Sequence, residues 1–296
     1  MSYHENVEKL RGFNITLWVL VIVGVGVTGL SLLGTVLLSP TASLLGICLA
    51  VVYVVGFGAL FRFSGLWPKT APVWWSVACL AWGAGVSFGL VLLSADAWMT
   101  LTDNLGWEVV TASFAGAWPE EAAKALGVLL ILYATNACTR PWHGFVTGGL
   151  IGLGFEVFEN ILYGGVGAML DPNSDLEGAL TMWALRFVAG PGLHVFLTAV
   201  AGFGIGLALF SYRWDKVQRL QALLTGLAWS FTLHFVWNIQ WPQWWMQLTG
   251  MCIVAILLYG TAIGIWIWSR RAIREDAGVV VVKRPVTRFE DLPGAS

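Results

Sequence analysis

The sequence predicts an all-α polytopic membrane protein with eight transmembrane helices and both termini on the cytoplasmic side. Three observations carry that expectation. Of the 296 residues 57% are apolar and only 11% charged, against about 25% charged in an ordinary soluble domain. The apolar residues fall in successive runs near or above the ~20 residues that cross a hydrocarbon core. There are 18 tryptophans, a residue that favours the water–lipid interface. This composition excludes a soluble globular enzyme and a disordered chain. A net charge of −1 leaves no global basic footprint for nucleic acid.

The runs lie at about 13–38, 41–61, 71–94, 107–135, 142–166, 182–211, 217–240 and 243–269. The first is too long for a signal-peptide core and lacks a small-residue cleavage site, so it is expected to be retained. Ser39-Pro40 separates it from the second. Pro68 and Pro72 mark the approach to the third, Pro141 opens the fifth, and Pro242 parts the last two. Pro119 is expected to break the fourth just before a pair of acids. The sixth contains Gly190-Pro191-Gly192 and is read as continuous through it.

Basic residues set the orientation. Lys9 and Arg11 precede the first run; Arg62 and Lys69 follow the second; Arg140 follows the fourth. Arg213, Lys216 and Arg219 follow the sixth, and Arg270, Arg271, Arg274, Lys283, Arg284 and Arg288 follow the eighth. The alternate connections carry acids instead: Asp96, Asp103, Glu108, Asp171, Asp175 and Glu177. The positive-inside rule then puts both termini in the cytoplasm. The chain reads as one transmembrane domain, 1–269, whose central helices occupy about 107–240, and a short cytoplasmic tail, 270–296. It has no internal repeat. Cys48, Cys79, Cys138 and Cys252 are far apart and form no CxxC pair, so they read as small core residues.

The informative residues are ionisable groups where lipid should be: Glu120, Glu121, Lys124, Glu156, Glu159 and Arg186, joined by His194, His234, Asn160 and Asn238. Each isolated charge at a helix centre costs about 2.5–3.5 kcal/mol on insertion scales, so a physical reason for the set is required. At ~1.5 Å per residue, Glu156 and Glu159 lie about 21 and 26 Å along their helix, His234 about 26 Å along its own, and His194 about 18 Å from the outer end of a third. Most of the groups therefore share the outer half of the bilayer. Spacing gives them common faces. Glu120 and Glu121 stand four and three residues before Lys124. Phe155, Glu159 and Tyr163 form one row, and His234 pairs with Asn238 at i,i+4. Gly148/Gly152 and Gly202/Gly206 are small-xxx-small pairs that allow close helix packing.

Each group also has a purely structural reading. Pro119-Glu120-Glu121 is a good helix start. Glu156 would pair with Lys124 or Arg186, and Arg186 would snorkel to the interface. His194 would serve as a packing donor, His234 with Asn238 as an interhelical hydrogen-bond pair, and His143 would be solvated. Against these stands the agreement in depth of four separate runs. Chemistry is narrowed by what is missing. No HExxH helix occurs, no Asp falls within a run, and no GxSxG elbow is present. What remains is a site of carboxylates and imidazoles.

The set Glu120-Glu121-x-x-Lys124, Phe155-x-x-x-Glu159-x-x-x-Tyr163, His194 and His234-x-x-x-Asn238 resembles the PrsW family of intramembrane proteases, relatives of the type II CAAX prenyl endopeptidases. The resemblance covers about 119–240. The prenyl-endopeptidase pattern has a His where Glu159 stands and an Arg one residue beyond Lys124, so the PrsW-like pattern is the closer one. It implies cleavage of a membrane-anchored protein, such as an anti-sigma factor, within a bacterial plasma membrane. The expected catalytic residues are Glu120, Glu121, Glu159, His194, His234 and Asn238, supported by Lys124, Phe155, Glu156 and Tyr163. Glu120 and Glu159 would hold a water between them, one acting as general base, while His234 and Asn238 donate to the oxyanion. His194 would polarise the water or contact substrate. Two cofactor states stay open: none, or Zn²⁺ held by Glu159, His194 and His234 with one position left for water. The expected partners are the bilayer and the substrate, with no nucleic acid and no indication of oligomeric state. A proton-coupled transporter, or a non-catalytic scaffold with a buried Glu/His network, is the alternative from another class.

Overall fold

The computed structural model describes residues 3–276, with side chains from residue 12 onward. The described residues form helices and short connections, with no strand among them. In chain order the helices are α1 (Tyr3–Leu38), α2 (Pro40–Phe63), α3 (Val73–Ala81), α4 (Phe88–Asn104), α5 (Trp118–Ala134), α6 (Pro141–Leu170), α7 (Asp175–Ala189), α8 (Leu193–Phe210), α9 (Lys216–Trp237) and α10 (Trp244–Arg274). Six stretches are long and apolar enough to cross a membrane: Gly12–Leu38, Pro40–Phe63, Val73–Asn104, Pro141–Leu170, Leu193–Phe210 and Trp244–Arg274. The protein is thus a multi-pass membrane protein. The expected runs 107–135 and 217–240 are helical but less apolar. The first carries Glu120, Glu121 and Lys124, and the second carries Gln218, Arg219, Gln221 and His234. The basic residues Lys283, Arg284 and Arg288 of the expected tail lie outside the described residues.

Most boundaries follow local chemistry. Ser39 caps α2 through Ala42 N–H, with Pro40 in the first turn. Asp215 and Gln218 close a reciprocal cap on α9. Two expectations fail at proline and glycine. The run 182–211 is two helices, α7 and α8. Gly190-Pro191-Gly192 separates them, and Gly192 adopts φ 74°, a left-handed conformation open to glycine at little cost. Pro119 does not break its helix. The chain stays helical through it, and the turn before it, Ser113–Ala117, widens into a π-helix. Proline lacks the N–H that an α-helical ladder needs and its ring crowds the carbonyl four residues back; widening the turn relieves both.

α6 is the hub. In its most apolar window 89% of residues are buried, because α2, α3, α5, α7 and α8 pack around it. The contact with α8 is backbone on backbone. A Cβ on Gly148 would sit 2.1 Å from the Thr198 carbonyl oxygen, and one on Gly152 2.1 Å from that of His194. The predicted small-residue pairs therefore do what their spacing implies. They draw the helix bearing Phe155, Glu156 and Glu159 against the helix bearing His194. On the other side, Trp82 donates from Nε1 to the Ala123 carbonyl (3.0 Å) and fixes α5 one turn beyond its acids.

Candidate active site

The first turn of α5 supplies Glu120 and Glu121, and Lys124 follows one turn later. All three side chains are buried, and Lys124 is 0% exposed. Its ammonium donates to Glu120 Oε2 (2.8 Å) and Glu121 Oε1 (3.3 Å). It also lies 3.1 Å from His194 Nδ1 and 3.6 Å above the Phe155 ring. Phe155 is thus a floor for the cation and, with ring centroids 4.9 Å apart, for His194.

His194 stands at the start of α8. Its Nε2 lies 2.9 Å from Glu159 Oε2, and its Nδ1 lies 3.6 Å from Glu120 Oε2. The imidazole thus stands between Glu120 and Glu159, the two carboxylates expected to hold a water. Glu159 is held from behind by Arg186, which also donates to Asn160 Oδ1 and stacks 4.4 Å from the Tyr163 ring. Arg186 does not snorkel away: it forms the outer wall of the site. Tyr163 is 43% exposed and contributes its ring face to that wall.

Glu156 corrects a second expectation. It pairs with neither Lys124 nor Arg186. Its carboxylate accepts from the backbone N–H of Gly192 (2.9 Å), His194 (3.0 Å) and Val195 (3.4 Å). An anion on the unsatisfied N–H groups of a helix start is favourable in both charge and geometry. Glu156 thereby anchors the backbone of His194 itself. His143, expected in solvent, is instead buried and accepts at Nδ1 from Thr139 N–H (2.9 Å).

α9 completes the site with a row at i, i+4 and i+8: Ser230, His234 and Asn238. His234 Nδ1 lies 3.0 Å from Glu121 Oε1, and the Ser230 hydroxyl donates to Glu121 Oε2 (2.6 Å). Glu121 therefore orients His234 while also accepting from Lys124. Asn238, at the end of α9, donates from Nδ2 to the Ala112 carbonyl over 3.4 Å, a long bond. Glu120 Oε1 takes no hydrogen bond among the described residues. Both groups lie beside Gly116, in the π-helical turn. A Cβ there would meet Asn238 Nδ2 at 3.0 Å and Glu120 Oε1 at 3.2 Å, and no other atom within 4 Å beyond its chain neighbours. The turn is held in place by Ser113, whose hydroxyl donates to the Phe235 carbonyl (2.8 Å). Sequence reasoning missed Ser230 and Gly116. Ser230 was visible in the helical spacing before His234; Gly116 carried no local signal.

The donor chemistry fits a divalent ion. Ligand atoms of Glu120, Glu121, His194 and His234 all lie within 4.8 Å of one another. Glu120 Oε2 is 3.6 Å from His194 Nδ1 and 3.9 Å from His234 Nε2. Each imidazole turns its other nitrogen to a carboxylate, His194 to Glu159 and His234 to Glu121, the arrangement that orients metal-binding histidines. The set differs from the expected Glu159, His194 and His234: Glu159 stands behind an imidazole, and Glu120 stands in front.

The sequence model of a protein family described as PrsW family intramembrane metalloprotease matches residues 71–265, which include every residue of this cluster. No curated protein and no solved structure matches the chain.

Proposed function

The chain belongs to the PrsW family of intramembrane metalloproteases, and on that premise we propose that it hydrolyses a peptide bond of a membrane-anchored protein with a water activated by Glu120. The protein is an intramembrane protease and its substrate is membrane-embedded. The observation that carries the mechanism is the meeting of Glu120 Oε1 and Asn238 Nδ2 beside Gly116, where a Cβ would lie 3.2 and 3.0 Å from them. One is an unpartnered acceptor for a water proton, and the other a weakly engaged donor for a carbonyl oxygen.

In this reading the peptide carbonyl lies over Gly116. Glu120 takes a proton from water as the water oxygen attacks the carbonyl carbon. The carbonyl oxygen gains charge, and the Asn238 amide donates to it. Glu120 then returns the proton to the leaving amine. Glu121 and Ser230 hold His234 with Nδ1 protonated, so Nε2 faces Glu120. Glu159, itself fixed by Arg186, does the same for Nε2 of His194. Bound at Glu120, His194 and His234, a divalent ion would supply Lewis-acid polarisation of the water or the carbonyl.

The finer setting is part of the same proposal. Eight spans, with α5 and α9 crossing beside the six apolar stretches, put both termini in the cytoplasm of a bacterial cell and the site in the outer half of the membrane. A single-pass regulator such as an anti-sigma factor would then be cut near the extracytoplasmic leaflet. The test is proteolysis of a panel of single-pass membrane proteins by purified enzyme in lipid nanodiscs. Wild type is expected to cleave at least one. Glu120→Gln is expected to lose about 10³-fold or more, within the range for a general base. Cleavage by Glu120→Gln at the wild-type rate would end the assignment.

A further inference from the structure

The cluster that reads as a metal site already holds a cation. An ammonium has three N–H donors and no acceptor. At Lys124 those donors face three acceptors, Glu120 Oε2 at 2.8 Å, His194 Nδ1 at 3.1 Å and Glu121 Oε1 at 3.3 Å. These belong to three of the four side chains that make up the ligand cluster. The Phe155 ring closes another side at 3.6 Å, so the charge is enclosed by anions, an imidazole lone pair and a π-face. Nothing about this lysine is incidental to the cluster: it is 0% exposed, and no other acceptor among the described residues lies within hydrogen-bond reach of its nitrogen.

A divalent ion bound to the same oxygen and imidazole nitrogen would sit about 2.0–2.2 Å from each. Atoms already in contact with the ammonium cannot hold it at that distance without pushing the ammonium out. Both cations cannot share the seat, since like charges this close in a buried site repel strongly. Displacement would cost the buried ammonium two of its three acceptors and leave it Glu121 Oε1 alone, which is itself costly.

We propose that the Lys124 ammonium is the resident cation of the Glu120–Glu121–His194 hub and competes with a divalent metal for that seat, so that the lysine sets the metal affinity of the site. The ammonium neutralises part of the carboxylate charge and spaces Glu120 from His194. The hub is then complete without a metal, and a borderline ion suited to imidazole and carboxylate, Zn²⁺ or Co²⁺, enters only where the lysine yields. The inference rests on the placing of the site given above but not on its turnover. A failure of peptide cleavage and a failure of metal competition are therefore separate results.

The experiment titrates the full-length protein in nanodiscs with Co²⁺, read by its visible absorption, and counts bound metal after dialysis. Lys124→Met is expected to bind one equivalent at least about 100-fold more tightly than wild type, a modest allowance for cation–cation repulsion at a buried site. Lys124→Arg, which keeps the charge, is expected to bind as weakly as wild type. His194→Ala placed on Lys124→Met is expected to abolish the gain, which locates the metal in the seat the ammonium held. Equal affinity in wild type and Lys124→Met overturns the proposal, as does a gain that survives His194→Ala. Should Lys124→Met not fold, wild type alone decides. Its unfolding temperature is expected to be indifferent to Zn²⁺ at submicromolar free concentration, and a rise there would show a metal bound tightly despite the lysine.

Discussion

α10 and α6 are both about thirty residues long, 31 and 30 respectively, and both are apolar. In its most apolar window α10 buries 17% of its residues and α6 buries 89%. The difference lies in what each helix offers its neighbours. α10 carries large side chains such as Ile253, Ile256 and Trp266, which stay exposed. α6 carries glycines at the positions where α8 must come close. The outer helices are built to meet lipid and the inner one to meet backbone. The chemistry gathers round the second kind: α5 and α8 bring Lys124 and His194 to Phe155 and Glu159 on α6, and α9 joins the cluster through Glu121 of α5. Hydropathy, the strongest signal in the sequence, is strongest where nothing happens. It falls along α5, where the site's own charges lower it, and along α9, where Lys216, Gln218, Arg219 and Gln221 add to His234.

The sharpest way to break that contrast is Gly152→Val. Its Cβ would lie 2.1 Å from the His194 carbonyl oxygen, a backbone atom with nowhere to go. Overpacking against backbone is expected to destabilise by about 3 kcal/mol or more, measured as a lowered unfolding midpoint in nanodiscs and loss of monodisperse protein. Asn238→Ala comes next. The fold is expected to persist, because the amide makes one long hydrogen bond, while turnover falls about 10²–10³-fold through loss of an oxyanion donor. Steady-state kinetics should place that loss in kcat and leave KM near its wild-type value. Gly116→Ala sharpens the point. Its Cβ would touch only the ends of Asn238 and Glu120, which can give by tenths of an ångström. The protein should unfold at its usual temperature yet cleave about 10-fold more slowly, as a misplacement of the reacting groups would cause. The smallest effect is expected at the outer surface. Ile256 is 72% exposed on α10, and Ile256→Ala should change stability by within about 0.5 kcal/mol and leave cleavage unaltered. A clear loss of cleavage there would mean the outer shell takes part in catalysis, and the contrast would fail.

Particular residues show how far the sequence could be read. Glu120, Glu121 and Lys124 were legible as a group because their spacing lies within one helix, and helical geometry is local. His234 and Asn238 were legible for the same reason, and Ser230 completes their row one turn earlier. Glu156 was misread, since two cations offered themselves in sequence. The groups that hold it are backbone N–H donors, exposed only because Gly190-Pro191-Gly192 ends one helix and starts another beside it. Arg186 was expected to reach for the interface, but Glu159 and Asn160 on α6 present it with nearer acceptors. Pro119 was expected to stop a helix. The π-helical turn that accommodates it also brings Gly116 beside the ends of Glu120 and Asn238.

By itself the sequence determined that this chain is helical and built for a bilayer, and which charged residues need an explanation. Those properties follow from transfer free energy and from the 3.6-residue period, both of which act along the chain. Tertiary structure alone decided the partners: Glu120 before His194 and Glu159 behind it, Glu156 on an amide cluster, and an ammonium at the centre of the ligand set. Such choices rest on distances between helices, and those depend on where glycine lets two backbones touch, a property of the packed pair that neither helix carries alone.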